Sequence, residues 1–274
     1  MTRELGVDLG GTVVAITGGG GVLCSAMAKG LAASGAAVAL LDVVEEAAAK
    51  VAGEIADAGG KALPVVCNVL DRESIERAAA KVEADLGPTN VLINGAGGNK
   101  AQATTTEDLS FFDLPEDAVR WVFELNFMGT FLTCQVFGKR MAGRGAGSIV
   151  NVSSMNAIRP LTRIPAYSAA KSAVTNFTQW LAVHMNQNYG TGIRVNAIAP
   201  GFFLTEQNRY LLTDRESGEL TPRAKTILGH TPAARFGAPE DLVGTLLWLL
   251  SDSSEFVNGI VVPVDGGFSA FSGV

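Results

Sequence analysis

Short, almost continuously apolar runs alternate along the chain with longer Ala-rich stretches whose apolar residues recur at helical spacing. That alternation constrains the fold more than any single motif. A strand covered on both faces is apolar throughout, and returning to a parallel neighbour requires a crossover helix. The pattern predicts strands near Val13–Thr17, Ala37–Asp42, Ala62–Cys67, Val91–Asn94, Ser148–Val152, Arg194–Ala199 and Ile260–Pro263. Helices are expected near Val22–Ser34, Glu45–Ala58, Arg72–Leu86, Glu116–Met141, Ala166–Asn188 and Pro239–Leu250. Gly35, Gly59 and Gly87 each follow a helix, where a left-handed residue ends it without a Cβ penalty. The expected fold class is therefore α/β, doubly wound, with a seven-stranded parallel sheet. At 274 residues the chain can bury a full core and is short for two enzyme domains, so one domain spanning 1–274 is expected. Two stretches break the rhythm, Ala96–Pro115 and the polar excursion 202–238, and the second is read as a substrate lid.

Charge and residue usage exclude several partners. With 21 basic and 27 acidic residues, a net charge of -6 and no basic run, nucleic acid is not an expected ligand. The near-apolar stretch Leu242–Leu250 falls short of the roughly 20 residues that cross a bilayer, so no membrane association is expected. The opening Met-Thr-Arg-Glu-Leu-Gly lacks the pattern of a secretory signal, which points to the cytoplasm. Cys24, Cys67 and Cys134 are odd in number and scattered, as buried free thiols are. His184 and His230 stand in no cluster at metal-ligand spacing, so no metal is expected. Phe202 and Phe203 read as lid packing, since no basic residues interleave with them as in a base-stacking platform.

The first strand ends in Thr17-Gly18-Gly19-Gly20-Gly21-Val22-Leu23-Cys24 and runs straight into a helix. A glycine-rich turn there brings bare backbone N–H groups and the positive end of the helix to a pyrophosphate. Asp42 closes the second strand, where a carboxylate accepts hydrogen bonds from adenosine ribose hydroxyls and repels a 2′-phosphate. No Arg follows to reverse the sign. The pair marks a Rossmann-type dinucleotide site and favours NAD(H) over NADP(H).

Farther on, Ser148-Ile149-Val150-Asn151-Val152-Ser153-Ser154 precedes Tyr167-Ser168-Ala169-Ala170-Lys171. Tyr167 and Lys171, four apart, share one face of a helix. A phenol of pKa near 10 exchanges protons poorly at neutral pH, and lowering it by about three units takes roughly 4 kcal/mol of preferential phenolate stabilisation. A neighbouring ammonium supplies part of that, and an oxidised nicotinamide ring more. Ser154 could hold a substrate oxygen while Tyr167 gives or takes its proton.

With these elements in order, the chain resembles the short-chain dehydrogenase/reductase family over nearly its whole length. Further matching motifs are Asn94-Gly95-Ala96-Gly97, Asn126 in Leu125-Asn126-Phe127-Met128-Gly129, Pro200-Gly201-Phe202-Phe203-Leu204-Thr205 and Val264-Asp265-Gly266-Gly267. The resemblance implies a catalytic group of Asn126, Ser154, Tyr167 and Lys171, with Asn126 helping to place a water beside Lys171. It implies cofactor contacts from Gly18, Gly20, Gly21, Val22 and Leu23, from Asp42, Asn68 and Val69, and from Asn94, Gly95 and Ala96. Tyr167, Lys171, Pro200, Gly201, Phe203 and Thr205 complete that set, Thr205 on the nicotinamide side. It also implies a homotetramer assembled through the helices that contain Asn126 and Tyr167. Three positions depart from the family pattern. Val22 and Cys24 replace the usual second and third glycines of the phosphate turn, and a β-branched Val22 resists positive φ. Asn68 stands where an Asp commonly meets the adenine amino group.

The same motifs, with Asn94-Gly95-Ala96-Gly97-Gly98-Asn99, Ser153-Ser154-Met155-Asn156-Ala157 and Thr205-Glu206-Gln207-Asn208-Arg209, resemble the D-mannonate oxidoreductases of that family, also called fructuronate reductases. That resemblance implies interconversion of D-fructuronate and D-mannonate. The residues suit it: Asn99, Asn156, Gln207 and Asn208 offer amides to sugar hydroxyls, while Lys100, Arg159, Arg163 and Arg209 offer cations to a carboxylate. Arg159 is the first choice for the carboxylate, then Arg163 and Arg209, with Ser154 on the reacting oxygen. Reduction of β-ketoacyl substrates, a lyase or epimerase returning its cofactor unchanged, and a non-catalytic dinucleotide sensor or scaffold are the competing readings. The intact Ser154, Tyr167 and Lys171 argue against the sensor.

Overall fold

The computed structural model describes residues 7–204, 212–213 and 218–273. Seven parallel strands, β1 (Val13–Thr17), β2 (Ala37–Asp42), β3 (Lys61–Val66), β4 (Val91–Asn94), β5 (Ala146–Val152), β6 (Gly192–Pro200) and β7 (Val261–Val264), form one sheet in the order β3-β2-β1-β4-β5-β6-β7. Its helices are α1 (Val22–Ala33), α2 (Glu45–Asp57), α3 (Arg72–Asp85), α4 (Glu116–Phe123), α5 (Gly129–Arg144), α6 (Pro165–Asn188), α7 (Pro222–Gly229) and α8 (Asp241–Leu250) among the described residues.

The continuous apolar runs are explained by what covers each face. In β1, Val14 and Ile16 face a core with Met27 and Leu31 of α1 and Leu242 and Leu246 of α8. The alternate Val13 and Ala15 face a second core with Ile75, Val82, Phe137 and Phe177. Each fully buried Leu, Ile or Phe contributes about 1.5–3 kcal/mol over an exposed one, so neither face tolerates a polar substitution. β2 and β4 flank β1 on opposite sides. Strand order therefore reverses between the carboxyl ends of β1 and β4, and the crevice there is where doubly wound sheets bind ligands.

Two elements differ from the sequence expectation. The helix expected over Glu116–Met141 is broken into α4 and α5 by a π turn at Glu124–Met128. Its extra residue accompanies an inward amide: Asn126 is wholly buried and donates from Nδ2 to the carbonyls of Val122 and Gly98, each at 2.7 Å. Within the expected lid, α7 forms because the Thr221 hydroxyl accepts from Ala224 N at 3.2 Å and Pro222 occupies the first turn.

Candidate active site

A cleft of about 830 Å³ opens at the switch point, walled by the turn after β1, the ends of β2 and β3, the segment after β4 and the segment after β6. Gly18 has φ +67, and a Cβ there would lie 3.0 Å from Ala96 Cα, so only glycine fits between the two strand ends. Gly21 stands just before α1 and no side chain caps the helix, which leaves its first N–H groups directed at the cleft. Val22, doubtful at a position expected to need positive φ, is the first residue of α1, and its φ is not positive. The other departure, Cys24, is compensated across the turn. Its thiol packs over Gly95, where a Cβ would lie 2.2 Å from Sγ and 2.9 Å from the Thr17 carbonyl. Close contact between α1 and the β4 end is thus secured by a glycine on the other side. Burial pushes the Cys24 thiol up to about 12.

Asp42 lies at the cleft wall, accepting from Gly20 N at 2.9 Å and Val44 N at 3.0 Å. Its carboxylate thereby pins the phosphate turn as well as facing the cleft. Leu23, Asn68, Val69, Ala96, Gly201 and Phe203 line the same cleft. Asn68 Oδ1 accepts from Leu70 N at 3.0 Å. Asn94 is placed differently: Nδ2 donates to Asn151 Oδ1 at 2.8 Å and Oδ1 accepts from Thr133 at 2.6 Å, so its side chain clamps β4 to β5 and α5. Pro200 is buried at the end of β6, and Thr205 lies outside the described residues. Bare backbone at Gly18 and Gly95, an uncapped helix end and an acid at the end of β2 fit a dinucleotide.

At the other end of the crevice, Lys171 is 3% exposed, donates from Nζ to the Val152 carbonyl at 2.8 Å, and stands 5.6 Å from the Tyr167 ring centroid. Burial lowers its pKa to about 8, with the nearby Cys24 acting in the opposite sense. Burial also raises the Tyr167 phenol, while Ser154, as its hydrogen-bond partner, acts to lower it. A Cβ on Gly97 would meet Asn126 Oδ1 at 2.6 Å and Lys171 Nζ at 3.3 Å, which shows how closely Asn126 and Lys171 converge. Asn126 Oδ1 accepts from Gly98 N at 3.2 Å. The four residues named as catalytic from the sequence therefore come together from the π turn, the β5 end and α6.

The expected substrate residues are placed unevenly. Asn156 is buried; its Nδ2 donates to Ser154 Oγ at 3.2 Å and its Oδ1 accepts from Leu161 N at 3.2 Å. It positions the serine rather than offering a free amide. Arg159, the first choice for a carboxylate, donates from Nε to the Ser269 carbonyl at 3.0 Å and ties down the C-terminal segment. Asn99 donates to Thr104 Oγ1 at 2.8 Å, and Lys100 lies 4.1 Å above the Trp121 ring at the cleft mouth. Arg163 lines a second hollow, while Arg209 lies outside the described residues. Sequence reasoning missed Thr17, whose hydroxyl accepts from Gly95 N and Ala96 N at 3.1 Å each, and Trp121 and Leu125 in the cleft wall. A hydroxyl residue ending an otherwise apolar strand was the available signal for Thr17.

A phenol beside a dinucleotide cleft fits the division of labour in nicotinamide-dependent alcohol and ketone oxidoreductases, where a side chain handles the proton and the nucleotide the electron pair. Comparison with known proteins gives the same class. The family model described as short chain dehydrogenase matches residues 12–216, and the chain belongs to that family. It is an NAD(H)-dependent oxidoreductase acting on CH–OH groups. Over 278 residues it is 51% identical to an uncharacterized oxidoreductase of Haemophilus influenzae, covering 97% of this chain and 96% of that one. It is 32% identical over 260 residues to the 5-keto-D-gluconate 5-reductase of Escherichia coli K12, covering 95% and 96%. A solved structure from Haemophilus influenzae with bound NAD, described as "a putative D-Mannonate oxidoreductase", superposes with a TM-score of 0.92 at 51% identity, covering 98% of this chain and 99% of that one.

Proposed function

We propose that the protein interconverts D-fructuronate and D-mannonate, the ketone and alcohol forms of one sugar acid, with NAD(H). Ketone, NADH and a proton give alcohol and NAD⁺. Bound NADH supplies the hydride; the remaining work belongs to the chain. The Ser154 hydroxyl holds the substrate oxygen and the Tyr167 hydroxyl delivers its proton to that oxygen. Desolvation keeps the phenol protonated, which suits the donor role in reduction. In oxidation the Lys171 ammonium stabilises the phenolate, and the Asn126 turn provides the relay by which the proton is exchanged. Asp42 supports NAD(H) over its phosphorylated form, because its charge faces the place a 2′-phosphate would need.

The observation that carries the reading is the convergence of Ser154, Tyr167, Lys171 and Asn126 at the end of a cleft whose far wall is acidic. The sugar-acid substrate is supported by the relatives, one an acid-sugar reductase and one described as a mannonate oxidoreductase. The segment 202–238 is proposed as the lid of a single domain. A homotetramer is proposed through α5 and α6, with Trp180 and Val183 on α6 and Tyr189 just after it exposed. Loss of NADH absorbance with D-fructuronate, its neutral counterpart D-fructose and a β-ketoacyl thioester tests the substrate. D-fructuronate is expected to be turned over best, and preference for the thioester would contradict the proposal.

A further inference from the structure

A second hollow of about 500 Å³ adjoins the dinucleotide cleft, the two sharing Phe202 as a wall. Its lining includes Leu161, Ile227 and Phe268 as an apolar surface and Arg163, Arg223 and His230 as its basic groups, with no carboxylate among the described residues there. Among the described residues neither guanidinium has an ion-pair partner. Arg163 holds φ +80, a conformation that L side chains rarely adopt, and its carbonyl accepts from Thr105 N at 2.8 Å. That strained, pinned residue stands just before α6, four positions ahead of Tyr167. Backbone strain of this kind persists only where the surroundings enforce it, and it gathers at ligand clamps. Arg223 stands in the first turn of α7. His230 follows the same helix; its Nδ1 donates to the Thr226 carbonyl at 2.9 Å, which leaves Nε2 available.

We propose that Arg163 and Arg223 form the clamp for the substrate carboxylate, with His230 beside them, so that the hollow selects acidic ketoses over neutral ones. Arg159, expected from the sequence to hold the carboxylate, instead anchors the C-terminal segment, and the clamp rests on the sugar-acid reading above. Two arginines from separate elements line the one hollow, and a charge-assisted contact from either to a carboxylate there contributes roughly one to two orders of magnitude of selectivity.

The test compares kcat/KM for D-fructuronate with that for D-fructose in the whole enzyme and in Arg163→Leu, Arg223→Leu, Arg223→Lys and Arg159→Leu, with NADH binding by fluorescence confirming that each variant is folded. Arg163→Gln or Arg223→Gln replaces a variant at that position that is not. The acid-to-neutral ratio is expected to fall roughly 10- to 100-fold in each leucine variant of the clamp, chiefly through KM, with partial recovery in Arg223→Lys. Arg159→Leu is expected to keep it within about threefold. A wild-type preference for the acid that survives in either leucine variant of the clamp, or that disappears in Arg159→Leu, would overturn the clamp and leave the sugar-acid reading standing. No wild-type preference for the acid would remove that reading, and the clamp with it.

Discussion

The nucleotide end and the substrate end of the crevice are built by different means. Around the dinucleotide cleft the determinants are backbone and absent side chains: Gly18 at φ +67 against Ala96, Gly95 beneath Cys24, and the uncapped start of α1. Around the second hollow they are long side chains on loops and on the short helix α7. The first end leaves no room for a side chain at Gly18 or Gly95; the second can change its ligand by exchanging a few exposed residues. One fold can thereby keep a cofactor while its substrate varies.

The largest effect that would break this contrast is expected at Gly95. A Cβ 2.2 Å from the Cys24 thiol and 2.9 Å from the Thr17 carbonyl cannot be absorbed by side-chain motion alone. Gly95→Ala is expected to destabilise by about 1–3 kcal/mol and to abolish NADH binding at concentrations that saturate the wild type. Adding Cys24→Ala should recover part of the stability, read from urea midpoints, because only the thiol contact is relieved. Full tolerance of Gly95→Ala would mean that this end is as plastic as the other.

A middle-sized effect is expected from Asp42. Asp42→Asn removes the charge while leaving an oxygen able to accept from Gly20 N and Val44 N. The ratio of NADPH to NADH turnover should rise roughly 10- to 100-fold, since opposing charges there disfavour the phosphorylated form. An unchanged ratio would remove Asp42 from cofactor choice.

A last effect, on stability alone and without a change in ligand choice, concerns the buried ammonium. Lys171 titrates near 8 in the folded protein against an ordinary 10.5, so between those values the unfolded chain binds more protons and stability rises with pH. The destabilisation is fully present below about pH 8 and is gone above 10.5. Relative to wild type, Lys171→Met should therefore be more stable at pH 7 than at pH 10.5, measured by urea unfolding at both. A gap that is constant with pH would show that the lysine is not desolvated.

Much of this was legible in the amino-acid order. The strand and helix rhythm reflects two-sided burial, which is written directly into apolar runs such as Val13–Thr17. The placement of the glycine turn before α1, of Asp42 beside it and of Tyr167 and Lys171 on one helix was legible because each follows from spacing along the chain. The π turn at Glu124–Met128 was not, since one extra residue in a turn leaves the apolar periodicity on either side nearly intact. Asn94 and Asn156 were misread in part, because an amide looks the same in sequence whether it meets a ligand or another buried amide. The helix α7 did carry a signal, the Thr221-Pro222 start, which the surrounding polar residues obscured.

The central claim is that the Tyr167 phenol, tuned by Lys171 and set against Ser154, carries the proton of a nicotinamide-dependent redox reaction. Tyr167→Phe removes one oxygen from a half-buried ring and tests it most directly, by NADH binding and turnover measured on the same preparation. NADH binding within about threefold of wild type, with kcat lowered by roughly two to four orders of magnitude, is the predicted result. Retention of full turnover would contradict the account.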